Sequence, residues 1–325
     1  MSIASEITRL QNDSAAIAAA IAAKGVTVPS GSGYDDYARL IGQISGGGGG
    51  STGYPAWLKD GDTHLWIEIA NSYQLTQTIR IRMIGTIDWG DGTTTSANVT
   101  TYTTFTHTYS TVGKYRIDLH PTSGTFYLGG ASSSYCVMGS VTAKYRHRVT
   151  SLYQAEIGTG RITTISNYTF YNCYGLLRVY VPDTITTIGS SAFNGCFSMR
   201  EIEFDDPSTI TSTSFSSTFA YNYCLRKLNF TPPGPTSFAT TFRGCRSLTE
   251  LVIPSTVTDI AANTFYDTYS LQKMYCFPAT PPTVADENAF KNFNADCTIY
   301  VPNGKLTAYQ TANIWSTFAS QMVEM

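Results

Sequence analysis

The chain has 325 residues, of which 14% are charged, and its formal net charge is −2. This length allows two or three domains, each with its own hydrophobic core. The low, balanced charge argues against a nucleic-acid partner, and the lack of an apolar stretch of about 18 residues argues against membrane insertion. Charged residues interrupt the first apolar runs, so we expect no secretory signal and folding in the cytoplasm.

Residues 1–44 are predicted to form a helical attachment segment. Six positions recur in alternating steps of four and three residues, as in a heptad seam, and all of them are apolar except Ser14. They are Ile3, Ile7, Leu10, Ser14, Ile17 and Ile21. So narrow and Ala-rich a seam buries little alone, so we favour oligomerisation, with a trimer preferred, or docking over a helical hairpin folded on itself. Residues 45–53, with five consecutive glycines, are predicted to be a flexible linker.

Residues 54–122 alternate between apolar and polar side chains and are predicted to be β-rich. The segments "IDWGDG" (87–92) and "HTYSTVGKYRIDL" (107–119) resemble those of the PKD-type immunoglobulin-like domain, which implies a β-sandwich. Asp88 and Asp91 are expected to accept hydrogen bonds from turn amides. With His107 they could suggest a metal site, but too few oxygen ligands cluster there for calcium. Residues 123–148 are expected to connect this domain to the next.

Residues 149–302 repeat one pattern. Six phenylalanines recur at intervals of 23, 26, 23, 23 and 25 residues: Phe170, Phe193, Phe219, Phe242, Phe265 and Phe290. Cys, Asn, Thr or Phe follows three positions later, and apolar residues follow six, nine and eleven positions later, except that Asp296 breaks the pattern in the last repeat. This pattern resembles the BspA-type leucine-rich repeat. The resemblance implies a mainly β solenoid of about six repeats, and residues 303–325 are predicted to be a helical cap over its open end.

The seven cysteines invite a chemical interpretation, which the repeats argue against. Cys173, Cys196 and Cys245 share a position that Asn, Thr and Phe fill in other repeats, while Cys276 takes a strand position used elsewhere by Val and Ile. Such interchange predicts small buried side chains rather than thiolates, disulfides or metal ligands. The acidic "EFDDP" (203–207) falls in a turn between repeats, where Asp is common. We therefore expect no enzyme, no metal and no cofactor.

Charges also follow the repeats. Eight positions after each phenylalanine, the sign alternates along Arg178, Glu201, Lys227, Glu250 and Lys273. In stacked parallel strands these residues would be lateral neighbours, so the pattern predicts a surface ladder of weak ion pairs.

Two aromatic columns provide the candidate binding residues. Four positions after the repeat phenylalanine come Tyr174, Phe197, Tyr223, Arg246 and Tyr269, and the predicted strand face adds Tyr180 and Tyr275. Aromatic residues with an interleaved Arg are typical of surfaces that bind partners or sugars. The same rings could instead stack between repeats for stability alone. The two interpretations are compatible, and both stay open at this point.

The order of segments favours a protein that attaches at one end and binds at the other. Residues 5–44 resemble the openings of tail-associated structural proteins in phages and prophages of Gram-positive bacteria. This implies a phage tail adhesin, a virion protein assembled in the host cytoplasm and released by lysis. Its N-terminal helices would bind other virion proteins, and its repeats would bind a host surface glycan or protein. The alternatives are a decoration protein of tail or capsid, and a cellular surface adhesin of the same repeat class.

Overall fold

The computed structural model describes residues 61–130, 132–140, 151–228 and 235–325, with only the backbone of Lys227. The predicted attachment segment and glycine linker, residues 1–53, lie outside these ranges. Gly61–Met325 form one compact unit, which is mainly β in its described parts, as expected. No helix in the described ranges combines the length and the apolar character needed to cross a membrane.

Five strands and a short hairpin build the N-terminal sheet region. They are β1 (Thr63–Ile69), β2 (Thr76–Asp88), β3 (Thr94–Asn98), β4 (Thr103–Thr108), β5 (Gly113–Leu128), and the hairpin β6 (Tyr135–Cys136) and β7 (Gly139–Ser140). β2 pairs antiparallel with β3, β4 and β5, and β1 pairs antiparallel with β5. Leu65, Ile67 and Ile69 are buried because alternate side chains of a strand point to the same face.

The solenoid has two sets of parallel strands. The front ladder consists of β8 (Leu152–Glu156), β10 (Arg178–Val181), β12 (Glu201–Phe204), β13 (Lys227–Leu228), β15 (Glu250–Ile253), β17 (Lys273–Cys276), β19 (Thr298–Val301) and β20 (Met322–Glu324). The back ladder consists of β9 (Thr164–Ile165), β11 (Thr187–Ile188), β14 (Ser237–Phe238), β16 (Asp259–Ile260) and β18 (Thr283–Val284). Among the described residues, strand pairing is interrupted between β12 and β13 in the front ladder and between β11 and β14 in the back ladder. Short 3-10 helices span Ser72–Gln74, Pro207–Thr209 and Glu287–Phe290. The register places equivalent repeat positions side by side, as with Glu250 and Lys273.

The N-terminal sheet region and the solenoid share one sheet. β8 pairs in parallel with β10 and antiparallel with β1, so the strand order is β12-β10-β8-β1-β5-β2-β3, with β4 also on β2. This differs from the separate sandwich expected over residues 54–122, because β5 runs through that boundary to Leu128. A solenoid that ended at β8 would leave a row of backbone groups unpaired. The N-terminal sheet region therefore closes the start of the solenoid.

The repeat phenylalanines form a continuous stack in the solenoid core. From Phe170 to Phe290, successive ring centroids lie 5.4, 5.7, 6.0, 5.9 and 5.2 Å apart. Backbone hydrogen bonds also join successive repeats next to these rings. One runs from the Phe193 N–H to the carbonyl of Thr218 (3.0 Å). An aromatic pair adds roughly 0.5–1.5 kcal/mol beyond its area burial. The stack therefore favours this one register, and the predicted solenoid is confirmed.

The turn that follows each phenylalanine uses a left-handed residue two positions later. Gly244 (φ 71°), Asp267 (φ 62°) and Asn292 (φ 57°) hold this place in successive repeats. The conformation costs non-glycine residues about 1–2 kcal/mol. A hydrogen bond between repeats offsets this cost, as from the Asp267 N–H to the carbonyl of Lys291 (3.0 Å). These turns fix the path of the backbone that carries the candidate binding column.

The expectation that the repeat cysteines are buried core residues is confirmed. The fully buried members are Cys173, Cys196, Cys245 and Cys276. The structure adds a second requirement, because Cys196 Sγ lies 3.1 Å from the carbonyl oxygen of Phe170 in the preceding repeat. In the next repeat, the side-chain amide of Asn222 donates to the carbonyl of Phe193 (3.0 Å). In these repeats the position takes a compact side chain that can also donate a hydrogen bond, whereas Phe293 fills it in the last repeat.

The far end of the solenoid is closed by residues after the last repeat. They form α1 (Leu306–Thr311), the 3-10 helix Trp315–Gln321 and the strand β20. Tyr309 and Trp315 are fully buried, and they donate to the carbonyls of Pro278 (2.9 Å) and Pro282 (2.8 Å), respectively. These residues cover the last repeat, and β20 adds a final parallel strand beside β19.

Candidate functional site

Four predicted site residues form one column on the turn side of the repeats, the side that carries the turns between each phenylalanine and the front ladder. The rings of Tyr174 and Phe197 have centroids 4.7 Å apart, and those of Phe197 and Tyr223 lie 4.8 Å apart. The guanidinium carbon of Arg246 lies 4.7 Å from the centre of the Tyr223 ring, a cation–π contact. The rings do stack between repeats. Because each is only half-buried, the column also presents aromatic surface to solvent.

Tyr269 continues this column in the next repeat, but it stands apart. Its side chain is 52% exposed, and no described ring or cation packs on it. The preceding Arg246 leans on Tyr223 and also forms an ion pair with Asp267 at 3.5 Å. The column therefore ends in an open aromatic ring, one repeat after Arg246.

A second row on the turn side was missed by the sequence comparison of repeats. The guanidinium carbon of Arg243 lies 5.6 Å from the Tyr221 ring centre and 4.9 Å from the Tyr266 ring centre. Tyr221 is two positions after its phenylalanine, whereas Arg243 and Tyr266 are one position after theirs. Because the row crosses between two repeat positions, no single column of the alignment reveals it.

The two rows meet at Gly244. The rings of Tyr221 and Tyr223 contact edge to face, with centroids 6.4 Å apart. A side chain on Gly244 would lie 3.2 Å from the Tyr221 ring and 3.5 Å from the Tyr223 ring. Glycine therefore leaves the space in which the two tyrosines converge.

Tyr180 and Tyr275, the remaining predicted site residues, lie on front-ladder strands and are not brought together. Tyr275 on β17 stacks on Tyr300, with centroids 4.8 Å apart. Tyr180 on β10 accepts a hydrogen bond from the guanidinium of Arg178 (2.9 Å). Strands β12, β13 and β15 lie between them in chain order, so these two tyrosines do not form one site.

Tyr180 belongs instead to a polar row across the shared sheet. Paired positions place Asp118, His64, Glu156, Tyr180 and Glu203 next to one another on five strands. His64 Nδ1 lies 2.6 Å from Asp118 Oδ1. Burial raises the pKa of Glu156, and burial together with the neighbouring Glu201 raises the pKa of Glu203 to about 7. This row joins the two regions of the protein through titratable groups.

The predicted charge ladder is confirmed at two steps. Arg178 lies 2.7 Å from Glu201, and Lys273 lies 3.6 Å from Glu250. All four side chains are substantially exposed, so each pair contributes roughly 0–1 kcal/mol. The ladder favours the register more than it adds stability.

The "WGDG" turn shows the hydrogen bonds expected from the sequence. Asp88 accepts from the Gly90 amide (2.8 Å), and Asp91 accepts from the Thr93 amide (3.1 Å). His107 Nε2 lies 2.7 Å from Asp91 Oδ2, and these bonds outweigh burial to hold the pKa of Asp91 below its usual value. Over the described residues, no cluster of three or more His, Cys, Asp or Glu side chains forms a metal site.

The acidic "EFDDP" segment also contains ordinary turn chemistry. Asp206 accepts a hydrogen bond from the Ser208 amide (2.8 Å) and caps the 3-10 helix Pro207–Thr209. The amide of Asp205 donates to the carbonyl of Val181 in the preceding repeat (2.9 Å). Both residues thus have structural roles in the turn between two repeats.

Leucine-rich repeat proteins are among the solved structures to which this chain is similar. The chain is similar to a leucine rich cell surface protein from Faecalibacterium prausnitzii, with 20% identity over 55% of this chain and a TM-score of 0.39. The match spans only 54% of that protein. A leucine rich repeat protein from T. pallidum matches with 18% identity over 50% of this chain and 77% of its own, with a TM-score of 0.36. One from Bacteroides ovatus matches with 17% identity over 44% of this chain and 43% of its own, with a TM-score of 0.30.

Sequence comparisons separate the repeats from the rest of the chain. No curated protein matches it. The family model and these three structures include neither a PKD domain nor a phage protein, so those two resemblances rest on the quoted motifs alone. The model of the BspA type leucine rich repeat region matches in six copies, over residues 144–272 and 216–316. These stretches cover more than half of the 325 residues, and the chain therefore belongs to the BspA-type leucine-rich repeat family.

Proposed function

We propose that this protein is a non-enzymatic adhesin that binds a macromolecule on a cell surface through the turn side of its solenoid. One observation carries the proposal, the stacked column that runs from Tyr174 to Arg246 and is followed by the exposed ring of Tyr269. Tyr and Arg are enriched among residues that dominate binding energies. Stacking between repeats pre-orders these side chains, so less rotational freedom is lost on binding.

Several copies would act together. The column offers a small contact area, and such an area alone supports modest affinity. Residues 1–44 are proposed to associate the chains, with a trimer favoured, and the linker at 45–53 would let the copies adjust to a surface. Linked binding sites raise apparent affinity without any new contact.

The proposed place of action is a bacterial cell surface, and membership of the BspA-type repeat family supports it. A phage tail is the second candidate, favoured by the resemblance of residues 5–44 to tail-associated proteins. There the same residues would bind other virion proteins, and the repeats would bind a glycan or protein of the host. A decoration protein of tail or capsid, without a receptor, is the remaining alternative.

Two experiments test these proposals. Beads densely coated with the full chain are incubated with intact bacterial cells, animal cells and immobilised glycans. Saturable retention that free chain competes away supports the adhesin, whereas no retention on any surface contradicts it. Mass spectrometry of washed cell envelopes and purified phage particles from the producing organism then distinguishes the two placements.

A further inference from the structure

We propose that the turn side of the three repeats that start at Phe219, Phe242 and Phe265 binds an anionic polysaccharide. Such a polysaccharide carries carboxylate, sulfate or phosphate groups on its sugars. This inference rests on the proposed function and names the ligand class of that surface. The site is the double row formed by Tyr221, Arg243 and Tyr266 and by Tyr223, Arg246 and Tyr269. Each row alternates an aromatic ring, a guanidinium group and a second aromatic ring along successive repeats.

The rings hold both guanidinium groups in place. Arg243 lies between Tyr221 and Tyr266, and among the described residues its side chain forms neither an ion pair nor a hydrogen bond. Its five N–H donors are therefore available along the edge of a fixed plane. That arrangement suits two parallel hydrogen bonds to a carboxylate, sulfate or phosphate group.

Tyr269 provides the surface for a sugar ring. It is 52% exposed, with no described ring or cation packed on it, and it follows Arg246 in the same row. An open aromatic ring offers apolar area to the C–H face of a pyranose, with a hydroxyl at its rim for hydrogen bonding. An acidic group on the same sugar could then reach a guanidinium group of the double row.

Local charge favours an anion, while the whole chain does not favour nucleic acid. Lys291, whose ammonium lies 5.6 Å from the Tyr266 ring centre, adds a third cation at the end of one row. Asp267 opposes them, because it lies 3.5 Å from Arg246 and accepts a hydrogen bond from Asn292 (2.8 Å). The net charge of −2 indicates a confined positive patch rather than the extended basic surface of a nucleic-acid binder.

Binding of the full chain to three immobilised polymers tests the inference: polygalacturonate, dextran sulfate and neutral dextran. We expect binding to at least one of the two anionic polymers, at least tenfold tighter than to dextran and weakened by salt. Preference between the two distinguishes a carboxylate from a sulfate ligand. R243Q and R246Q should each weaken binding on the order of tenfold, since each removes charge-assisted hydrogen bonds.

Two further variants separate this site from general charge attraction. R226Q removes an exposed positive charge outside both rows and should leave affinity within about twofold. D267N should tighten binding several-fold, and it fits the backbone because Asn172 and Asn292 hold the same left-handed repeat position. Equal affinity for dextran, an equal loss in R226Q, a loss in D267N, or equally tight binding of duplex DNA would overturn the inference.

The outcomes also distinguish this inference from the proposed function. Binding to cells or neutral glycans without anionic preference leaves the adhesin in place and removes the anionic polysaccharide. No binding to any cell or glycan contradicts both.

Discussion

Cys245 Sγ lies 3.1 Å from the carbonyl oxygen of Phe219 in the preceding repeat. The thiol thus donates a hydrogen bond across the repeat boundary, as the side-chain amide of Asn222 does one repeat earlier, whereas the hydroxyl of Thr268 donates to Phe265 in its own repeat. Burial raises the pKa of the Cys245 thiol to about 12, so it stays protonated and keeps its donor. The repeat cysteines Cys173, Cys196 and Cys245, which look like reactive thiols in the sequence, are therefore compact hydrogen-bond donors in the core.

Replacing Cys245 by Val should therefore destabilise the protein more than replacing it by Thr. Val fills the space but leaves the buried Phe219 carbonyl without its donor, at a cost of about 1–3 kcal/mol. Thr has nearly the shape of Val but keeps a hydroxyl that can donate to this carbonyl, so it should cost less than about 1 kcal/mol. Denaturant unfolding of both variants measures the difference. Equal losses would mean that the column selects side-chain volume alone.

The junction between the N-terminal sheet region and the solenoid should be sensitive to a single methyl group. A Cβ on Gly158 would lie 2.0 Å from the carbonyl oxygen of Asp62, at the start of β1. G158A should cost about 1–3 kcal/mol, as overpacking does, whereas T159A, at the next position, should cost less than about 0.5 kcal/mol. Because β1 and β8 share a sheet, hydrogen exchange should speed up in both strands. Faster exchange on only one side would contradict a shared sheet.

The polar row predicts that stability falls as pH rises. Burial, followed by the hydrogen bond and charge of Glu201, raises the pKa of Glu203 from 4.5 to about 7. The folded state therefore keeps a proton that the unfolded chain releases. The stability this provides is fully present below about pH 4.5 and is lost as pH rises through about 7.

E203Q tests this sign because glutamine cannot ionise. Relative to the wild type, the variant should gain stability between pH 5 and pH 8, as measured by the midpoint of thermal unfolding. E250Q, in the charge ladder, should show the same change of unfolding midpoint with pH as the wild type. If the unfolding midpoint of E203Q changed with pH as that of the wild type does, Glu203 would be excluded as the titrating group.

Stability and binding should separate within the candidate column. F197S removes a ring stacked on both Tyr174 and Tyr223, so it should cost about 1–3 kcal/mol in unfolding free energy. Y269S removes an exposed ring on which no described ring or cation packs, so it should cost less than about 0.5 kcal/mol. Thermal unfolding compares the two, and a large loss in Y269S would mean that this ring also supports the fold.

The repeats could be read from the sequence because their signal is local. The spacing of Phe170, Phe193 and their successors predicts the solenoid, its buried cysteines and its stacked column. The pairing of β1 with β8 joins residues about ninety positions apart, and nothing in either strand marks the other as its partner. β8 and β20 lack the repeat phenylalanine, so the pattern passed over the strands at each end of the front ladder.

The sequence predicts only the part of the candidate site whose residues share one repeat position. Residues at one repeat position, such as Tyr174 and Phe197, become neighbours by translation along the solenoid. Arg243 and Tyr221 occupy different repeat positions, and only the turn geometry brings them together. Tyr180 and Tyr275 share a repeat position, but the strands between them keep them apart.

The most direct test of the adhesin is the retention of coated beads on a surface that holds the wild-type chain. Y269S is compared with Y73S, which removes a tyrosine that is 68% exposed but lies in the N-terminal sheet region. If the protein binds through the turn side of the solenoid, Y269S should weaken retention at least tenfold without changing the midpoint of thermal unfolding. Y73S should be retained as the wild type is. Equal retention of the two variants would contradict it.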